Sequence, residues 1–339
     1  MQTRGNVVVS MVECLLTFPS SSSTTMMMLR LSLLTALLSS AIAFQTPVRL
    51  QPRQTIHRST STEESPKTWS DDGFVFGLEG SGLGRPKGRN AQVVVEGDSL
   101  ETKPYQVAMV LATMAGHAGF TGSAIATLIA QAGLGLGLLK AAVLMYASWL
   151  LADFGSGVLH WSVDNYGNGK TPIMGSIIAA FQGHHAAPWT ITQRSFFNNV
   201  YKLCTPFGFI PFVLLLPWLG AGATIFWSTF CLWEVLSQEF HKWSHQLKTE
   251  TPKWVQWLQR NGFSVDPQSH AQHHLEPFDG NYCIISGSCN KFLDESGFFR
   301  RLERIVFRLN GIEPNAWKLD ADLRSRTLAG DYSLAPRRS

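Results

Sequence analysis

LADFGSGVLHWSVDNYG (151–167) and QEFHKWSH (238–245) decide how this chain folds. Each is the polar end of an apolar run. Asp153, Gly157, His160 and Asp164 follow one another at steps of 4, 3 and 4, and Glu234, Gln238, His241 and His245 repeat those steps. Such spacing puts each set on one stripe of a helix. Acids and imidazoles in or beside hydrocarbon are costly unless they face an interior partner. The expectation is two helices whose stripes face each other across a shared cation.

Two further segments meet the same need. FQGHHAAPWTIT (181–192) carries His184 and His185, with Gln182 just before them, and SHAQHHLEPFDGNYCI (269–284) carries His270, His273 and His274. In a helix the last three share a face at i, i+3 and i+4. Eight of the ten histidines fall in these four segments. Neutral imidazole suits iron, copper and zinc. Zinc closes with four ligands, so eight imidazoles exceed one zinc ion and match two metals with open positions. Asp164, Gln182, Glu234 and Gln238 are expected to orient imidazole N–H groups from outside the ligand set. A solitary histidine at a membrane edge is ordinarily a packing residue, and His117 is read so.

Composition agrees with a membrane setting. Charged residues make up 15% of the 339 residues, against about 25% in soluble domains. The net charge of +4 and the lack of a basic array with interleaved aromatics argue against nucleic acid. The five cysteines, Cys14, Cys204, Cys231, Cys283 and Cys289, form no CxxC and no disulfide framework, and are read as reduced, mostly buried thiols.

Four apolar runs, 105–131, 137–159, 206–220 and 221–240, are expected as membrane helices in two hairpins. The third is short and holds Pro211 and Pro217, so a kinked, tilted or re-entrant course fits it. Both hairpin turns are almost uncharged, whereas Lys170, Arg194, Lys202, Lys242, Lys248, Lys253 and Arg260 lie at the opposite ends, with all eight histidines. The fold class is therefore an all-α membrane protein with a histidine-rich cap on one face, and the positive-inside bias puts that face on the cis side.

Residues 28–43 have the basic start, apolar middle and small-x-small end of a signal peptide, and 44–65 the Arg-, Ser- and Thr-rich character of a transit peptide. A signal joined to a transit peptide with Phe44 at the junction resembles the two-part plastid address of algae with secondary plastids. Simple secretion or an N-terminal anchor is the plainer alternative, and under the plastid reading His57 belongs to a discarded segment. The expected organisation is 1–65 targeting, 66–104 polar linker, 105–318 membrane domain and 319–339 loose polar tail. GLEGSGLGRPKG (77–88) has no strand before it and reads as linker, not as a nucleotide loop. SGFFRRLERIVFRLN (296–310) reads as a basic amphipathic helix, on a membrane surface or packed on the histidine-rich domain.

Together LADFGSGVLHWSVDNYGNGKTPIMG, FQGHHAAPWTITQRSFFNN, QEFHKWSH and HAQHHLEPFDGNYCIISGSCNKFLDES resemble the Kua-type lipid desaturases. That family includes plasmanylethanolamine desaturases and plastid palmitate delta-3-trans desaturases. The QGHH form, the FxNN after it and the leader look more like the plastid branch. One departure is EPFDGNYC (276–283), where plant members typically carry an asparagine-rich turn. The likeness covers about residues 105–318. It implies a non-heme di-iron centre on His160, His184, His185, His241, His245, His270, His273 and His274, with Asp164 as a further functional residue. It also implies O2 as oxidant and a small electron donor such as ferredoxin. Removing hydrogen from an unactivated methylene needs an oxidant that side chains alone lack, and an anionic lipid such as phosphatidylglycerol fits the basic face around Arg194, Lys202 and Lys242. The expected location is a plastid membrane, thylakoid or inner envelope, with the histidines toward the stroma; the endoplasmic reticulum is the alternative. Competing functions are a vinyl-ether-forming desaturase and a non-catalytic metal-binding membrane protein. The second would favour acids along the middle of the spans, where Glu234 is the main candidate.

Overall fold

A computed structural model describes residues 99–334 apart from 173 and 187. The targeting segment, nearly all of the linker and the last five residues lie outside the described residues. Among those described there is helix and no strand.

Two long helices open the fold, α1 (Pro104–Ala132) and α2 (Leu134–Asn165). Pro104 starts α1 where its missing N–H costs nothing, and the Gln106 side chain accepts from the Lys103 N–H at 2.9 Å. Gly133 alone joins the two helices. Its φ of +79° belongs to a region that side chains other than glycine's rarely occupy. The chain then runs through α3 (Gly175–Ala186), a 3₁₀ turn (Pro188–Gln193), α4 (Phe196–Val200), α5 (Ile210–Leu214) and α6 (Ala221–His245). Short helices follow: α7 (Lys253–Arg260), α8 (Pro267–His273), α9 (Asn290–Glu295), α10 (Phe298–Asn310), α11 (Asn315–Leu319) and α12 (Ala321–Ala329).

Helices α1, α2 and α6 pack on one another as the central bundle. Ala124, Ala141 and Ile225 are buried together toward one end, and Ala152, Phe240 and Ile285 toward the other. Small hydroxyls tie the helices across the interior: Ser148 Oγ meets Thr229 Oγ1 at 2.6 Å. His117 is such a tie, as expected. Its Nδ1 lies 3.1 Å from Ser228 Oγ and its Nε2 2.9 Å from the Phe207 carbonyl. Between helices such bonds contribute about 0.6 kcal/mol on average.

Helix α2 is long and apolar enough to cross a membrane by length and composition. Its outer half exposes Leu134, Leu136, Leu138, Leu139, Val143 and Tyr146. The run expected at 206–220 is broken. A π turn (Thr205–Phe209), α5 and a 3₁₀ turn (Leu216–Trp218) replace a straight helix, and 205–218 is bent by 54° against 196–203. Pro206, Pro211 and Pro217 each remove a backbone donor there. That bent pair makes a second candidate crossing if counted as one. Helices α1 and α6, at 29 and 25 residues, reach the length of a crossing.

Helix α10 packs on the domain through Phe299, Arg300 and Glu303, which are buried, while Ile305 and Leu309 stay exposed. The segment after Trp317, expected as a loose tail, continues as α12 because Leu323 and Leu328 close on Trp317 and Phe307. The four described cysteines are unpaired; Cys204, Cys231 and Cys283 are buried and Cys289 is partly so.

Candidate metal centre

The eight histidines converge at the inner ends of α2 and α6, and they divide into two groups. His184, His241, His245, His270 and His274 form one; His160, Asp164, His185 and His273 form the other. Within each group one ligand atom per residue lies within 4.8 Å of every other. The groups adjoin: the His160 ring centroid is 5.8 Å from that of His241 and 6.3 Å from that of His270.

The division runs between sequence neighbours. His184 and His185 go to different groups, as do His273 and His274. Consecutive side chains on a helix diverge by about 100°, whereas residues four apart align. Hence α6 delivers His241 and His245 to the first group, and His270 joins His274 there at the end of α8. The expectation that His270, His273 and His274 serve one face is corrected to this extent: their stripe straddles both groups.

Proton placement tests whether these sets fit metal ions. His160 Nδ1 sits 2.9 Å from the Tyr282 carbonyl, and His273 Nδ1 sits 2.8 Å from the Gly280 carbonyl. A carbonyl only accepts, so both Nδ1 atoms carry a proton, and an uncharged ring so oriented presents a lone pair at Nε2. Those two Nε2 atoms, with His185 Nε2, point at one atom, Asp164 Oδ2, at 3.3, 3.4 and 3.1 Å. His160 Nε2 and His273 Nε2 are buried without a hydrogen-bond partner. Lone pairs aimed at a buried carboxylate repel unless a cation lies among them.

In the five-histidine group His245 Nε2 meets His184, His241 and His270 Nε2 at 2.9, 3.2 and 2.9 Å, and His274 Nε2 meets His270 Nε2 at 3.1 Å. A neutral imidazole has one N–H, so His245 cannot donate to all three. Burial holds His184, His270 and His274 well below the ordinary imidazole range, and His185 below it. Converging and short of donors, both sets fit cations, and imidazoles with one carboxylate suit iron as well as zinc.

Asp153 and Gln182 are engaged elsewhere than expected. Asp153 faces the 286–289 loop and belongs to neither histidine group. Its Oδ1 accepts from the N–H groups of Ser286 (2.7 Å) and Gly287 (2.9 Å), and its Oδ2 from that of Cys289 (3.0 Å). Gln182 Nε2 donates to the carbonyls of Val163 and Gly167 at 3.1 and 3.3 Å and so closes the end of α2. Glu234 is buried against α2, where a Cβ on Gly155 would lie 2.8 Å from its Oε1. Gln238 lines a cavity of about 110 Å³ whose wall includes His184 and His241. Phe181 and Ile191 give that cavity apolar walls, and Arg194 and Lys202 line it as well. Lys242 is taken out of the basic face: it is buried and ion-paired with Glu239. Sequence reading missed Gly280 and Tyr282, because they act through main-chain carbonyls that leave no side-chain signature.

Among the described residues the chain is helical, and its bundle ends in two adjoining histidine-rich groups that could hold metal ions. The family model for the lipid desaturase domain matches residues 149–317. Plasmanylethanolamine desaturase of Myxococcus xanthus is 31% identical over 256 residues, 73% of this chain and 88% of that protein. Fatty acid desaturase 4-like 1, chloroplastic, of Arabidopsis thaliana is 45% identical over 179 residues, 53% of this chain and 61% of the relative. Plasmanylethanolamine desaturase 1 of Mus musculus is 33% identical over 187 residues, 50% of this chain and 66% of the relative. The chain thus spans about three fifths of the length of the chloroplastic relatives it matches. No solved structure matches. The chain belongs to the lipid desaturase family.

Proposed function

We propose that this protein is a membrane-bound, non-heme di-iron lipid desaturase that forms a delta-3-trans double bond in palmitate carried by phosphatidylglycerol, in a plastid membrane. The observation that carries the reading is the pair of adjoining metal-fitting sites, one of them walling the cavity lined by Arg194 and Lys202. His160, His185, His273 and Asp164 would hold one iron, and His184, His241, His245, His270 and His274 the other. When bound, the irons supply the oxidising power of O2 that side chains lack. The overall change balances as one CH2–CH2 pair, O2, two electrons and two protons giving CH=CH and two waters. A small protein such as ferredoxin supplies the electrons.

The chain's own residues do the rest. Arg194 and Lys202 supply positive charge for the headgroup phosphate. Phe181, Ile191 and Leu203 line the acyl path and keep water from it. Asp164 would share one iron with the three imidazoles that converge on its Oδ2. Four crossings in two hairpins, the plastid address of 1–65 and a desaturase domain at 105–318 complete the proposal.

The chloroplastic names of the Arabidopsis relatives favour the plastid acyl substrate. A second reading, a vinyl-ether-forming desaturase, is favoured by the length of the Myxococcus match. Lipid profiling of a strain lacking the gene separates them. Loss of trans-hexadecenoate from phosphatidylglycerol is the expected result. Unchanged trans-hexadecenoate with loss of plasmalogen would overturn the first reading in favour of the second.

A further inference from the structure

Residues 280–289 form a loop whose main-chain N–H groups are held largely by side chains. The Gly280 and Tyr282 carbonyls accept from His273 and His160. Between those two carbonyls, the Asn281 N–H donates to Asp294 Oδ2 at 3.0 Å. Directly after them, Asn290 grips Cys283 on both sides, its Oδ1 accepting from the N–H at 2.8 Å and its Nδ2 donating to the carbonyl at 3.1 Å. At the far end Asp153 takes the three N–H groups of Ser286, Gly287 and Cys289. Asp153 is fully buried and lies seven residues before His160 on α2, about 10 Å along the axis. One helix therefore carries both a histidine and the anchor of the loop that orients it. Gly157, one turn before His160, leaves room for this: a Cβ there would stand 2.5 Å from Cys283 Sγ.

Both imidazoles oriented by this loop belong to the Asp164 group; the loop's carbonyls hold His160 and His273, and the five-histidine group is built from α3, α6 and α8. We infer that Asp153, Asn290 and Asp294 are positioning residues that act on one of the two metal positions, by fixing the carbonyls that set the proton position and aim of His160 and His273. The inference rests on the two-metal reading above. A carbonyl that drifts by an ångström frees the ring to rotate or to move its proton to Nε2, and loss of such outer partners typically costs roughly 10–100-fold in metal affinity.

The test is the iron content of the purified full chain together with its Mössbauer spectrum, for wild type, Asp153→Ala, Asn290→Ala and the conservative Asn290→Asp. Asn290→Asp keeps the acceptor for the Cys283 N–H. His270→Ala serves as a reference that removes a ligand of the other group. The expected result is two irons per chain in wild type, about one in Asp153→Ala and Asn290→Ala, and partial recovery in Asn290→Asp. The remaining iron should give an isolated-ion spectrum that differs from that of His270→Ala. Two irons with an unchanged spectrum in Asp153→Ala and Asn290→Ala would overturn the inference. So would loss of both irons together, which marks a role in the whole fold. A wild-type protein that binds no metal would instead overturn the two-metal reading itself.

Discussion

A buried imidazole that takes up a proton loses the water that would solvate its charge. His184, His270 and His274 are held neutral for that reason, well below the imidazole value of 6.5. The unfolded chain has no such restraint and takes up protons near 6.5. Below that pH the unfolded state therefore binds more protons than the folded one, and stability falls as pH falls. For chelator-treated protein in detergent, thermal unfolding should show Tm dropping between about pH 7 and pH 5. Each such histidine contributes up to about 1.4 kcal/mol per pH unit across that window. A Tm that stays flat would mean these rings are solvated. At this scale the histidines were legible as a set, since type and spacing announce ligand chemistry. Their partition was not, because it depends on how far each short helix turns before its neighbour meets α6.

Among the elements, α10 carries the sharpest consequence. Arg300 and Glu303 are both buried and paired with each other. Glu303 also accepts from the indole N–H groups of Trp161 and Trp317 at 3.1 and 2.8 Å. Arg300→Ala would strand that carboxylate inside the protein and should cost about 3–5 kcal/mol. Replacing both, Arg300→Met with Glu303→Leu, should recover most of it. Chemical unfolding of the three proteins measures this, and equal losses in the single and double variants would show the pair to be energetically idle. The sequence showed the amphipathic stripe of 296–310 but not which charges turn inward, because an arginine three residues from a glutamate reads the same on a wet face. The broken segment after α4 was partly legible, since its prolines announce a break without fixing the direction of the bend. Asp153 misled for a related reason: its spacing put it on the His160 stripe, two turns too far back to join either histidine group.

For the molecule as a whole, the arrangement of uncharged turns and basic ends predicts sidedness. Single cysteines at Gly135 and Gly220, in a cysteine-free background, should react with a membrane-impermeant thiol reagent from one side only, and a cysteine at Lys248 from the other. Reaction of Gly220→Cys and Lys248→Cys from the same side would remove the second hairpin while leaving α1 and α2 as a pair. The helical class and the single histidine-rich end were legible because composition and charge asymmetry are global properties. The number of crossings was not, since α6 carries Glu234, Glu239 and Lys242 on the same helix as its apolar face.

The pairs His184–His185 and His273–His274 each place one ring in either group. Twice over, then, the backbones of the two groups are joined by a single peptide unit, with successive Cα atoms about 3.8 Å apart. A core substitution can swing the rings of either group about χ1 and χ2, yet the backbone roots of the two groups stay joined.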